Sequence, residues 1–319
     1  MTEKAVCSFL VIGDIHFKSN NAKESKILMK EIIKNINHYQ PDAVVFLGDI
    51  LNDFNRIELE LLHRATSFLI ECAKITYKSS YSPDVYVLVG NHDRANNQIF
   101  LTDKHPFIGL KNSKYPNLHI IDTPKDVYAK DKRVTFCPYV PEDRFIEALM
   151  TTKKKLSINI DLLFAHQDFS NIKMDELSSV KIIISGHIHD SSKSGNIFYP
   201  GTPYQHTFAE SKNKGIYYVQ LMEKKGIQIQ KIELSIPKKE TLEVTQEELD
   251  DMDISKLKNT RIIVKGDILD KEMIEKSKKR GNKLILDVKP YKPDGKQFRD
   301  IIYSLIADDK ELKSIFESI

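Results

Sequence analysis

The sequence predicts an α/β fold: a two-sheet sandwich flanked by helices, followed by a small C-terminal α/β cap domain. Three observations predict it. Five short apolar runs rich in Val and Ile each stop on Asp, Asn or His, most of them at a Gly, which is how buried strands read. Helix-period stretches separate the first of these runs, giving the strand–helix order of an α/β sheet. Later strand patterns are shorter and turn-linked, which suggests more antiparallel pairing and a second sheet.

The elements follow in order. A strand over 9–12 runs into Gly13-Asp14-Ile15-His16. Ile27, Leu28, Ile32, Ile33 and Ile36 recur at helical spacing before Pro41. A strand over 44–47 ends at Gly48-Asp49, and a second helix is marked by Leu59, Leu62, Ala65, Phe68, Leu69 and Cys72. The run 85–89 ends in Gly90-Asn91-His92-Asp93, the run 162–165 in His166, and the run 182–185 in Gly186-His187-Ile188-His189. Further strands are predicted over 133–137, 197–199, 216–221 and 227–234. The polar segment 237–255, with acidic residues at 247, 248, 250 and 251, reads as a linker carrying a short helix. A strand over 260–265, a helix over 271–280 and a strand over 283–288 then form the cap. Phe298, Ile301, Ile302, Leu305, Ile306, Leu312, Ile315, Phe316 and Ile319 mark a C-terminal amphipathic helix, packed on the cap or docked on a partner. The domains so read are 1–236, a linker over 237–258, and 259–319.

Composition narrows the function classes. A net charge of +3 and a pI near 8.4 are too mild to demand nucleic acid. The Lys-rich patches at 153–155, 224–225 and 276–280 permit phosphate-backbone binding and no more. Cys7, Cys72 and Cys137 form no C-x-x-C pair, so reduced thiols are expected. The N-terminus enters a strand with no signal-peptide pattern, and no apolar run nears the ~20 residues of a membrane span. A non-secreted, cytoplasmic protein without a membrane partner is expected. No P-loop pattern is present.

The strand-end residues carry the chemistry. Asp14, His16, Asp49, Asn91, His166, His187 and His189 are too many ligands for one tetrahedral zinc. They suit two divalent ions about 3.5–4 Å apart that activate a water for in-line attack at phosphorus. Mixed imidazole and carboxylate ligation favours manganese, iron or zinc over magnesium. His92, beside Asn91, suits a general acid, and Asp93 suits hydrogen bonding to the turn's own backbone. His38, His63, His105, His119 and His206 lack the strand-end context and read as surface or packing residues.

The set Asp14-x-His16, Gly48-Asp49, Gly90-Asn91-His92-Asp93, His166 and Gly186-His187-x-His189 resembles the calcineurin-like metallophosphoesterase signature. More locally, Phe164-Ala165-His166-Gln167 is similar to the His-Gln of double-strand-break repair nucleases. Tyr199-Pro200-Gly201-Thr202-Pro203, Phe208-x-Glu210 and Lys214-Gly215 resemble the segment after the last histidine pair in SbcD-type nuclease subunits and their phage recombination relatives. The resemblance implies a manganese-dependent exo- and endonuclease that acts on DNA in repair or recombination, dimerises, and works with an SbcC-like coiled-coil ATPase. It assigns the seven strand-end residues as metal ligands and His92 as the acid. Three residues after Asp49 such nucleases usually carry His, whereas this chain has Asn52 and then Asp53. Asn holds no charge and tunes His92 less strongly, so phosphodiester cleavage is implied more firmly than exonucleolytic action. The alternatives are a phosphoesterase of small phosphodiesters or phosphoproteins, and a metal-free scaffold on the same fold.

Overall fold

The structure is a computed structural model, and it describes residues 4–53, 56–152, 159–172, 174–224, 226–253, 257, 259–265 and 285–288. The chain divides into two compact units, Met1–Lys238 and Lys239–Ile319. In the first unit the chain runs β1 (Ala5–Ile12), α1 (Ala22–Tyr39), β2 (Ala43–Phe46), α2 (Leu59–Ala73), β3 (Asp84–Leu88), β4 (Leu118–Ile121), β5 (Lys125–Ala129) and β6 (Lys132–Cys137). It continues through α3 (Phe145–Met150), β7 (Leu162–His166), β8 (Ile183–Gly186), β9 (Ser192–Ser194), β10 (Ile197–Tyr199), β11 (Ile216–Met222) and β12 (Ile227–Ile232).

Two six-stranded sheets form, ordered β12-β11-β1-β2-β3-β4 and β5-β6-β7-β8-β10-β9. In the first, β1 to β4 run parallel, while β11 and β12 add antiparallel at the β1 side. In the second, β6, β7, β8 and β10 are parallel and only β5 and β9 pair antiparallel. The later strands are therefore less antiparallel than their short, turn-linked sequence suggests: β6 reaches β7, and β7 reaches β8, through connections long enough for a crossover.

Side-chain alternation explains why the strands read as unbroken apolar runs, since both faces are covered. Phe9, Val11, Val45, Leu47 and Leu88 meet Val134, Phe136, Leu162, Phe164 and Ile184 between the sheets. Leu10, Ile12, Val44, Phe46, Val85 and Val87 point the other way, onto Leu28, Ile32 and Ile36 of α1 and Leu61, Ala65, Phe68 and Cys72 of α2. Leu59, counted into the apolar stripe from spacing, is 81% exposed at the helix start, and Leu61 is buried in its place. Leu163, Ala165 and Ile183 pack against Phe145, Ala148 and Leu149 of α3 on the outer face of the second sheet. The three cysteines are unbridged.

In the second unit β13 (Glu240–Thr245), β14 (Thr260–Lys265) and β15 (Ile285–Val288) form a parallel sheet, with α4 (Gln246–Asp251) between the first two. Val244, Leu249, Ile262 and Val264 form its core. The segment read as a linker is thus partly strand and helix: Leu242 and Val244 alternate with polar residues along β13, and Thr245 caps α4 by accepting from the Glu248 N–H at 3.3 Å. The helix expected over 271–280 and the C-terminal amphipathic helix lie outside the described residues. Among the described residues no helix is long and apolar enough to cross a membrane.

Candidate metal centre

Register places the site. Ile12 pairs with Phe46 and Phe46 with Val87, so β1, β2 and β3 end level, and in the second sheet His166 pairs with Gly186. The residues just past these carboxyl ends meet across the sandwich, the usual place for ligands in open parallel sheets. Three exits turn through left-handed backbone at residues that are not glycine: His16 (φ 48°), Asp49 (φ 49°) and His187 (φ 77°). Each such conformation costs about 1–2 kcal/mol, and such strain concentrates at functional sites. The His16 N–H donates to the Asp49 carbonyl at 2.9 Å, and the His187 N–H to Asp14 Oδ2 at 2.9 Å, holding two of the three turns. Gly90 is required by close approach, since a Cβ there would sit 2.2 Å from Asp49 Oδ1.

The donor atoms form three overlapping groups, in each of which one atom per residue lies within 4.8 Å of the others: Asp14, His16 and His189; His16, Asp49 and His92; Asp49, His166 and His187. His16 and Asp49 are shared, so the groups make one continuous row. Asn91 joins it, with Oδ1 2.9 Å from His166 Nε2 and 2.9 Å from His187 Nδ1. All seven strand-end residues and His92 are therefore together. Asp14, His16, Asp49 and His166 are at most 2% exposed.

The donor set fits cations. His166 Nδ1 lies 2.8 Å from the Leu47 carbonyl and must donate to it, so a neutral imidazole turns a lone pair at Nε2 towards Asn91 Oδ1. Asp49 Oδ2 stands 3.3 Å from the same nitrogen. Three acceptors converge, and a positive charge between them relieves the repulsion. Without metal that charge is a proton: burial opposes it, but Asp49 and Asp14 outweigh burial and push the His166 pKa up to about 9. Burial raises the pKa of Asp14 to about 7. Burial also opposes ionisation of Asp49, yet His166, His16 and His92 hold that carboxyl well below the usual range. His16 falls to about 3 and His187 to about 4, both chiefly from burial, which leaves them neutral imidazoles suited to ligation.

His92 faces the row edge-on to His16, with ring centres 4.8 Å apart. Its Nδ1 donates to the backbone carbonyl of Asn52 at 2.5 Å. The Asn52 side chain turns elsewhere, donating to Asp53 Oδ1 at 2.9 Å. The expected tuning of His92 by the Asn52 side chain is corrected accordingly: the contact is made by main chain, which any residue supplies. Asp93 accepts backbone N–H groups of Gly90 at 3.1 Å, Ile50 at 3.2 Å and Leu51 at 2.9 Å, tying two exit turns together. Burial and the charge of Asp49 raise its pKa to about 6.

One histidine read as packing lies in the site. His206 packs its ring edge-on to His16 at 5.4 Å and beside His189 at 5.9 Å, and burial, then His16, lowers its pKa to about 2. It sits in a loop with no apolar run before it, so strand-end spacing gives no signal for it. His105 and His119 do pack elsewhere, on Asp122 at 3.2 Å and on Asp84 at 2.9 Å.

The calcineurin-like phosphoesterase model matches residues 7–191. The chain is 33% identical over 288 residues to “Putative phosphoesterase 244L” of Invertebrate iridescent virus 6, across 85% of this chain and 98% of that protein. It is 31% identical over 242 residues to “Putative phosphoesterase 078R” of Invertebrate iridescent virus 3, across 72% of this chain and 67% of that protein. A more distant likeness is to “Exonuclease subunit 1” of Enterobacteria phage T4, 22% identical over 175 residues, across 52% of this chain and 49% of that protein. Matched over the segment that bears the donor row, this chain belongs to the calcineurin-like phosphoesterase family, whose members hydrolyse phosphoesters with divalent metals.

Proposed function

We propose that the protein is a two-metal DNA phosphodiesterase. The observation that carries the two-metal reading is the shared carboxylate: Asp49 belongs both to the group with His16 and to the group with His166 and His187. Asp14, His16 and His189 would hold one ion, Asn91, His166 and His187 the other, and Asp49 would bridge. Bound there, divalent cations, manganese in this reading, supply Lewis acidity to a water nucleophile and to the phosphoryl oxygens. His92 Nε2 protonates the leaving oxygen, with Nδ1 anchored on the Asn52 carbonyl.

DNA as substrate rests on the likeness to the phage exonuclease subunit and on the segment 199–215, which resembles nuclease subunits that work with a coiled-coil ATPase. The iridovirus relatives, described only as phosphoesterases, keep a small-phosphodiester reading as the rival. The test is cleavage of end-labelled single- and double-stranded DNA by the purified chain with Mn2+, beside a small aryl phosphodiester. Metal-dependent DNA cleavage lost in His187→Ala supports the proposal. Hydrolysis of the aryl ester with DNA left intact, with and without an added ATPase subunit, supports the rival.

A further inference from the structure

The segment that marks the nuclease resemblance contains a buried cation that the chemistry above does not use. The Lys214 side chain is 6% exposed. Its Nζ donates to the backbone carbonyl of His189 at 2.7 Å, and pairs with Asp190 Oδ1 at 2.9 Å and Glu210 Oε2 at 3.2 Å. The His189 carbonyl also accepts the Thr202 N–H at 2.9 Å. Glu210 in turn accepts the His206 N–H at 3.0 Å, and its own carbonyl accepts from Gln205 Nε2 at 3.0 Å. The same loop reaches the other strand exit, where the Tyr204 hydroxyl donates to the Ile15 carbonyl at 3.3 Å. One loop therefore grips the backbone of His189 and that beside His16, whose Nε2 atoms lie 3.1 Å apart.

A buried ammonium is costly to desolvate and is a poor source of stability in itself. It is also the wrong sign for a site that takes cations, so charge alone gives no reason to place it here. What it supplies is geometry at one ligand. Resting on the two-metal reading, we propose that Lys214 is a positioning residue for one of the two metal sites: with Glu210 it fixes the His189 main chain and so sets the imidazole beside His16. Among the described residues, none of its hydrogen bonds or ion pairs is to Asn91, His166 or His187, so its effect falls on one ion of the pair.

The experiment is Mn2+ binding to metal-stripped full chain, followed by equilibrium dialysis and by the low-temperature EPR signal of a coupled manganese pair. Wild type, Lys214→Met, Lys214→Arg and Glu210→Gln are compared, with near-UV circular dichroism checking the fold. Wild type is expected to bind two ions. Lys214→Met keeps one at wild-type affinity and binds the other roughly 10–100-fold more weakly, the usual effect of losing a group that orients a ligand. The coupled signal is then replaced by that of single ions at sub-saturating metal, and Lys214→Arg recovers part of the loss. Should Lys214→Met not fold, Glu210→Gln still weakens the same ion. Tighter binding in Lys214→Met would show a purely electrostatic role and overturn the proposal, as would equal weakening of both ions or wild-type affinity in every variant. A wild-type chain that takes up no manganese overturns the two-metal reading itself, and this proposal with it.

Discussion

His166 donates through Nδ1 to the Leu47 carbonyl and thereby turns Nε2 onto the carbonyl oxygen of Asn91, 2.9 Å away, an arrangement of acceptors that calls for a cation. The rest of the site's behaviour follows from what fills that gap.

Metal uptake should expel protons. His166, with its pKa raised to about 9 by Asp49 and Asp14 against burial, carries the filling proton in metal-free protein below that pH. Its folded value lies above the unfolded 6.5, so this proton stabilises the metal-free fold below about 6.5, and the contribution is lost as pH rises through 9. Metal must displace the proton, so affinity falls about tenfold per pH unit below 9. The fall steepens below 7, where burial leaves Asp14 protonated as well. Calorimetry of Mn2+ binding at pH 8 in buffers of different ionisation enthalpy should show release of at least one proton, that of His166, with ionisation of a metal-bound water adding to it; no release would falsify the pairing described.

Strain at the exits should appear in stability. At φ 77° position 187 penalises any residue with a Cβ, and glycine escapes the penalty. His187→Gly should therefore be more stable than His187→Ala by about 1 kcal/mol in metal-free protein. Paired thermal melts check this, and equal midpoints would mean the turn is relaxed.

The approach of Gly90 to Asp49 gives a steric test. A Cβ at Gly90 meets the Asp49 carboxylate and main chain at 2.2 Å and 2.4 Å, whereas one at Gly109 meets nothing within 4 Å. Gly90→Ala should lose metal binding, and Gly109→Ala should match wild type in both metal content and melting. Metal content by elemental analysis reads the difference.

His92 and Asn52 separate side-chain from main-chain roles. His92→Ala should keep its metals and lose 10²–10⁴-fold in turnover of whichever phosphodiester the wild type cleaves, the usual worth of a general acid. Asn52→Ala should stay within a few-fold of wild type, because the carbonyl contact survives. A large loss in Asn52→Ala would return the tuning role to its amide.

The site was legible where chemistry sits at strand ends. Val44, Val45, Phe46, Leu47 and then Gly48-Asp49 announce both a buried strand and the turn that leaves it. What stayed hidden is held by loop geometry. His206 and Lys214 gain their places from contacts between a loop and two distant turns, which no local period encodes. Likewise β13 hides in a polar segment because only Val244 on it is fully buried, with Leu242 partly so, leaving too weak an alternation to separate strand from linker. The contact of Asn52 with His92 was expected of its side chain and is made by its main chain, which the residue type does not report.

In the proposed mechanism one row of donors holds two ions bridged by Asp49. The most direct measurement is anomalous scattering from crystals grown with Mn2+. Two peaks are expected about 3.5–4 Å apart, on either side of the Asp49 carboxylate, one beside His16 and His189 and one beside His166 and His187. Absence of peaks, or a single one remote from Asp49, would contradict it.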